Sequence, residues 1–99
     1  MRPASFSFHP DAIEEALSAA HWYGERSRTT ARRFVAELNR VIDNILEAPH
    51  RWPISARSTR KVKLPCFPYL VIYRANDEDI LILAVAHGHR RPGYWKSRV

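Results

Sequence analysis

Hydrophobic and polar positions divide the chain into an opening strand, two helical stretches and three further strands. Ala4-Ser5-Phe6-Ser7-Phe8 alternates apolar and hydroxyl side chains, the period of a half-buried strand, and predicts Phe6 and Phe8 on the core side. His9-Pro10 closes it. Asp11 followed three residues later by Glu14 fits a capping box, with carboxylates favoured at a helix N-terminus, and predicts a helix that begins there. Ile13, Ala16, Leu17 and Ala20 fall at helical spacing and form a narrow, Ala-rich stripe, which leaves Glu14, Glu15 and Ser18 in water. Gly24 and the polar run Glu25-Arg26-Ser27-Arg28 mark its end. Ser27 or Thr29 can cap a second helix, in which Phe34, Leu38, Val41, Ile42 and Ile45 draw a longer apolar stripe that stops at Pro49.

Pro49 to Ser58 has no clear periodicity and is long for an ordinary connection, the kind of loop in which function concentrates. Beyond it the period returns to two. Arg60 to Leu64 sends Val62 and Leu64 to one face and Lys61 and Lys63 to the other. Tyr69 to Arg74 is a second strand of the hairpin, and Ala75-Asn76-Asp77-Glu78 supplies turn-forming residues. The next strand, Ile80 to His87, is apolar on both faces and predicts a central strand covered on both sides. The two helices, joined by so short a connection, form an antiparallel hairpin. The fold class is therefore α+β: an N-terminal strand, the helix hairpin, then a three-stranded antiparallel meander, with the helices on one face of a small sheet. Strand order is left open by periodicity alone.

Composition narrows this picture. With 99 residues, 45% of them hydrophobic, the chain can bury one core and predicts a single domain over residues 1–99. The net charge of +6 is unevenly placed: residues 1–50 hold 6 Lys and Arg against 7 Asp and Glu, residues 51–99 hold 10 against 3. Such asymmetry suits a polyanionic or acidic partner, nucleic acid or an acidic protein segment, facing the C-terminal half. Its plain alternative is a solvated surface. The lone Cys66 excludes an intramolecular disulfide, and its apolar neighbours suit a buried structural thiol. Neither a signal-peptide run nor a stretch of membrane-spanning length is present, which predicts a soluble, cytoplasmic protein that binds no membrane.

The helical run Ala31-Arg32-Arg33-Phe34-Val35, the Ala48-Pro49 break, the hairpin Phe67-Pro68-Tyr69-Leu70-Val71-Ile72-Tyr73-Arg74 and the ending Ile82-Leu83-Ala84-Val85-Ala86-His87 together resemble the RelE/ParE superfamily of type II toxin–antitoxin toxins. The resemblance runs from Phe6 to Arg98 and rests on the order of patterned elements rather than on one short signature. It implies a growth-inhibiting toxin of the plasmid-stabilisation type, held inactive in a hetero-oligomer by a cognate antitoxin. Two branches diverge in target. RelE-like members cut mRNA on the ribosome without a metal; ParE-like members block DNA gyrase and are not nucleases.

For the ribonuclease branch the resemblance implies Lys61, Lys63, Arg74, Arg90 or Arg91, and Tyr94 as site residues. Metal-free RNA cleavage needs a base for the 2′-hydroxyl, cations for the charged transition state and an acid for the leaving oxygen. His87 or His89 can carry either proton transfer. Each also has a structural reading: His87 as a hydrogen-bonded strand end, Lys61 and Lys63 as the solvated side of an edge strand, Tyr73 as core, and Trp95 as a cap folded back onto the sheet. No Cys, Asp or Glu joins His87 and His89 at ligand spacing, so neither a metal nor another cofactor is predicted. The comparably long helices, and the pattern from Ala16 to Tyr23 followed by Ala31 and Phe34, lean towards the ParE branch. A harmless nucleic-acid-binding module is the reading from outside the toxin class.

Overall fold

The computed structural model of the chain describes residues 5–99; Ala4, assigned above to the first strand, lies outside them. Strand β1 (Ser5–Phe8) leads into helices α1 (Pro10–Arg26) and α2 (Arg28–Glu47), followed by β2 (Arg60–Lys63), β3 (Tyr69–Ala75) and β4 (Asp79–His87). Short 3-10 segments occupy Ala56–Ser58 and Tyr94–Arg98. The strands form one sheet in the order β1-β4-β3-β2. The meander is antiparallel, while β1 lies parallel to β4 and so encloses it. This is the predicted α+β architecture, with the position of β1 supplied by the structure.

Helix α1 starts two residues earlier than the capping-box reading, which made Asp11 the N-cap. His9 is its N-cap, with Nδ1 accepting the Asp11 N–H at 3.1 Å. Pro10 fills the first helical position, where a missing N–H costs nothing. Ser27 alone separates the helices: its N–H donates to the Tyr23 carbonyl at 2.7 Å and its hydroxyl accepts the Thr30 N–H at 3.2 Å. One residue thus closes α1 and opens α2. Gly24 does not end α1; it lies where an added Cβ would come within 3.7 Å of the Ala31 Cβ, a close approach between the helices.

The stripe on α2 is buried as predicted, with Phe34 and Ile45 fully enclosed and Leu38, Val41 and Ile42 beside them. On α1 the stripe is rotated. Ala12 and Ala19 are buried and Ala16, Ala20 and Tyr23 pack on the core, whereas Ile13 and Leu17 remain 46% and 66% exposed. Small side chains let α1 lie close to the sheet, and the same rotation carries Glu15 inward, out of the water where the pattern had put it. Phe6, predicted inward, is 40% exposed and rests edge-on against Phe8, which packs on the core. Cys66 is exposed rather than buried. It falls on the turn between Leu64 and Phe67, whose side chains both go inward, while its N–H donates to Glu37 Oε1 at 2.7 Å.

The sheet has two covered faces. Val62, Leu64, Val71, Tyr73, Ile80, Ile82 and Val85 face the helices. Ile72, Leu83, Ala84 and Ala86 face the other way and are covered by Trp95, which is 3% exposed. The cap reading of Trp95 therefore holds, and the continuous apolar run of β4 has its reason. A bulge makes the crossover between faces: Ile72 pairs with Ala84 but Tyr73 with Ile82, so Leu83 is the extra residue and the alternation of β4 changes phase there. The long loop is pinned from beneath. The Tyr73 hydroxyl donates to the Pro49 carbonyl at 2.6 Å and Arg60 donates to the Trp52 carbonyl, and Trp52 packs on the core. Tyr73 is core, and its burial raises its pKa to about 12.

Candidate functional site

The end of β1 creates the site. Its pairing with β4 stops at Phe8 and Ile82, so the next residues of β4 present an edge with no neighbouring strand. Backbone groups at a half-covered edge require partners, and here side chains provide them. The Val85 N–H donates to Glu15 Oε1 at 3.0 Å, and the Leu83 carbonyl accepts from Arg98 Nη1 at 3.0 Å. Glu15 and Arg98 also meet as a two-point fork, Nη1 to Oε1 at 2.9 Å and Nη2 to Oε2 at 3.0 Å. The Tyr94 hydroxyl donates to Glu15 Oε2 at 2.6 Å. The side chains of Glu15 and Arg98 are only 17% and 12% exposed.

Together these contacts strap the C-terminal segment across the β4 edge onto α1. Burial works against the charge of Glu15, but the hydrogen bonds from Arg98, Tyr94 and Val85 outweigh it and hold the carboxyl below its usual range. Burial, and then the bond to Glu15, pushes the Tyr94 phenol well above 10. The Arg98 guanidinium is held more firmly protonated by the same carboxylate.

Between α1 and this edge lies a groove of about 760 Å³, lined among others by Trp22, Tyr23, Tyr69, His87, Arg90 and Tyr94. His87 stands at the end of β4, opposite Tyr69, with the two rings edge to face at 5.0 Å. Its Nδ1 accepts the His89 N–H at 3.0 Å, which leaves Nε2 as the free nitrogen. The Arg90 guanidinium lies 4.0 Å from the centre of the Tyr94 ring, and that of Arg98 lies 5.0 Å from it. The phenol is thus engaged on its hydroxyl and against two cations.

The residues singled out in the sequence divide between two surfaces, with His89 and Arg91 exposed beyond the end of β4. His87, Arg90 and Tyr94 line the groove. Lys61 and Lys63 are exposed on the face of β2 opposite the buried Val62. Arg74 shares that outer face, since it pairs with Leu81, which packs against the outer cluster. Tyr69 pairs with His87 and Arg74 with Leu81, so five strand steps put Arg74 roughly 17 Å along the sheet from His87. Of the cations of the C-terminal half, Arg98 is neutralised by Glu15. Glu15 itself carried no signal as a site residue: its partners lie 70 to 83 positions away.

A model of the ParE toxin of type II toxin–antitoxin systems, parDE, matches residues 6–92. The chain belongs to the ParE toxin family. A chain of the chromosomal ParDE toxin–antitoxin system from P. aeruginosa superposes with a TM-score of 0.73 at 15% identity, over 84% of this chain and 94% of that one. That likeness is one of fold. No curated protein sequence matches. This toxin carries a helix hairpin on one face of a four-stranded sheet and ties its C-terminal segment to the sheet edge through Glu15 and Arg98. Among the described residues, no helix is long and apolar enough to cross a membrane.

Every tyrosine of this toxin is shifted in the same direction. Burial raises Tyr23, Tyr69, Tyr73 and Tyr94 above the ordinary phenol value. Their neutral form is favoured in the folded state, so the stability they contribute is present below pH 10 and is lost as the pH rises through the folded values. An alkaline titration followed by phenolate absorbance near 295 nm is expected to lag behind free tyrosine. Glu15→Ala is expected to advance it by releasing Tyr94. Four tyrosines titrating together near pH 10 in the folded protein would contradict these environments.

Proposed function

We propose that this ParE-family toxin arrests growth by acting on DNA gyrase in the cytoplasm, and that a cognate antitoxin neutralises it in a hetero-oligomer. The observation that carries the choice of target is the division of the candidate catalytic groups. Proton transfer needs an acid and a base within hydrogen-bond reach of one phosphate. Here the Tyr94 hydroxyl is committed to Glu15, and Lys61, Lys63 and Arg74 belong to a different surface from His87. Family membership over residues 6–92 points the same way. No metal or cofactor enters this reading. The groove between α1 and the β4 edge is the surface offered to the antitoxin.

Inducing the chain alone is expected to stop bacterial growth with gyrase-dependent DNA breaks and intact mRNA, and co-expression of the antitoxin is expected to restore growth. Codon-phased mRNA cuts on ribosomes, without DNA breaks, would instead establish the RelE-like ribonuclease.

A further inference from the structure

We infer that the outer face of the sheet is a binding surface for the phosphate backbone of duplex DNA, distinct from the groove and reached by the toxin without help from another protein. The inference goes beyond the gyrase reading and stands or falls on naked DNA.

Charge separates by layer in this molecule. All seven Asp and Glu of residues 1–50 lie on α1 or α2, at positions 11, 14, 15, 25, 37, 43 and 47. From Ala48 to Val99 the acids are Asp77, Glu78 and Asp79, confined to the β3–β4 turn and the first position of β4. The helices pack on the opposite face of the sheet. Only that one turn can therefore screen the cations of the outer face from its own layer.

Those cations are Lys61 and Lys63 on β2 and Arg74 on β3. Lys61 and Lys63 are exposed and Arg74 is half-buried. Neighbouring cations two residues apart on a strand stand about 7 Å apart on the same face. The row Lys61, Ile72, Ala84 and the row Lys63, Leu70, Ala86 run across the sheet. Each row begins with an ammonium at the edge and continues into the apolar ground that Trp95 covers. Flexible ammonium groups on a regular strand suit a repeating phosphate array, which they bind as point charges.

The aromatic residues decide between duplex and single strand. Unpaired bases are held by stacking on exposed rings. On this face Trp95 is buried beneath the tail, and the Tyr94 ring is already occupied by Arg90 and Arg98. No free ring is left there among the described residues. What remains is a surface that contacts backbone and reads no base, the arrangement of sequence-independent duplex binding.

The test is fluorescence anisotropy of the full-length toxin with a labelled duplex of arbitrary sequence, and with single-stranded RNA of equal length, between 50 and 300 mM salt. Duplex binding is expected at the low-salt end, independent of sequence, and to weaken steeply with salt. Lys61→Gln/Lys63→Gln/Arg74→Gln is expected to lose tenfold or more in affinity and to flatten the log–log salt slope by roughly 2 to 3. The charge-matched control Arg32→Gln/Arg33→Gln/Arg40→Gln on the helix layer is expected to bind as the parent does. Circular dichroism establishes that each variant is folded; if the triple variant is not, Lys61→Gln/Lys63→Gln replaces it with a slope change of roughly 1 to 2. Absence of duplex binding at 50 mM salt, equal losses in both charge variants, or tighter binding of single-stranded RNA would each overturn the inference.

Discussion

Glu15→Ala is expected to destabilise the protein by about 3 kcal/mol or more, several times the cost of losing an ordinary surface ion pair. The difference lies in what is left behind. Removing the carboxylate takes the acceptor from the Tyr94 hydroxyl and the Val85 N–H and leaves the Arg98 guanidinium with only the Leu83 carbonyl and the Asp11 carboxylate, 3.7 Å away. Arg98 is 12% exposed, so solvent makes up little of the loss. For a domain of this size such a change lowers the melting temperature by roughly 12 °C or more. Glu14→Ala, one position away on the exposed side of α1, is expected to stay within about 0.5 kcal/mol. Arg98→Lys keeps the charge but not the fork and falls between the two. Denaturant midpoints of the three variants measure the series, and equal midpoints for Glu14→Ala and Glu15→Ala would remove the strap from the account.

The same carboxylate sets an acid limit. Its pKa is lowered in the folded state, so the unfolded chain takes up its proton first as the pH falls. The stability Glu15 contributes is thus complete above its unfolded value and disappears as the pH drops through the folded one. The parent is expected to lose stability more steeply than Glu15→Ala below about pH 4.5.

Phe34→Ala is the second large effect, at about 3–5 kcal/mol. Phe34 is fully buried and stands among three rings, with centroids 5.3 Å from Tyr23, 5.3 Å from Phe67 and 5.2 Å from Tyr69. These belong to α1, the β2–β3 connection and β3, so the phenyl ring joins both helices to the sheet. Its loss opens a cavity at a junction that cannot close without moving a whole element. Edge-to-face geometry adds to the area buried. Phe34→Leu retains part of the volume and is expected to cost less. A Phe34→Ala midpoint within 1 kcal/mol of the parent would mean that the cluster can collapse, contrary to the packing described.

The elements visible in the sequence were those whose side chains report their own surroundings. The α2 stripe from Phe34 to Ile45 keeps a strong helical period because one wide face is buried, and Lys61 to Leu64 alternates because β2 lies at an edge. The β4 run announced a strand covered on both sides. Helix α1 misled for a physical reason. Its buried face is built from alanines, which weigh little in a hydrophobic pattern, while Ile13 and Leu17 on the open side weigh more. The Cys66 and Phe6 errors have a similar origin, since local composition cannot tell a turn from a strand interior or an edge from a centre.

The candidate site was legible only in part. His87, Arg90 and Tyr94 stood out as polar groups after a strand and do line one groove, but the carboxylate that holds Tyr94 there lies on α1. Three features brought it there: the rotation of α1, the early end of β1 and the bulge at Leu83. None leaves a trace in a single sequence, because each depends on pairing between distant segments. Parallel placement of β1 beside β4 is of the same kind.

The most direct test of this account is a supercoiling assay with purified toxin and purified gyrase. Adding the toxin is expected to suppress ATP-dependent supercoiling of relaxed plasmid and to accumulate gyrase-cleaved linear DNA, both relieved by the cognate antitoxin. Undiminished supercoiling with excess folded toxin, alongside cleavage of ribosome-bound mRNA by the same preparation, would contradict it.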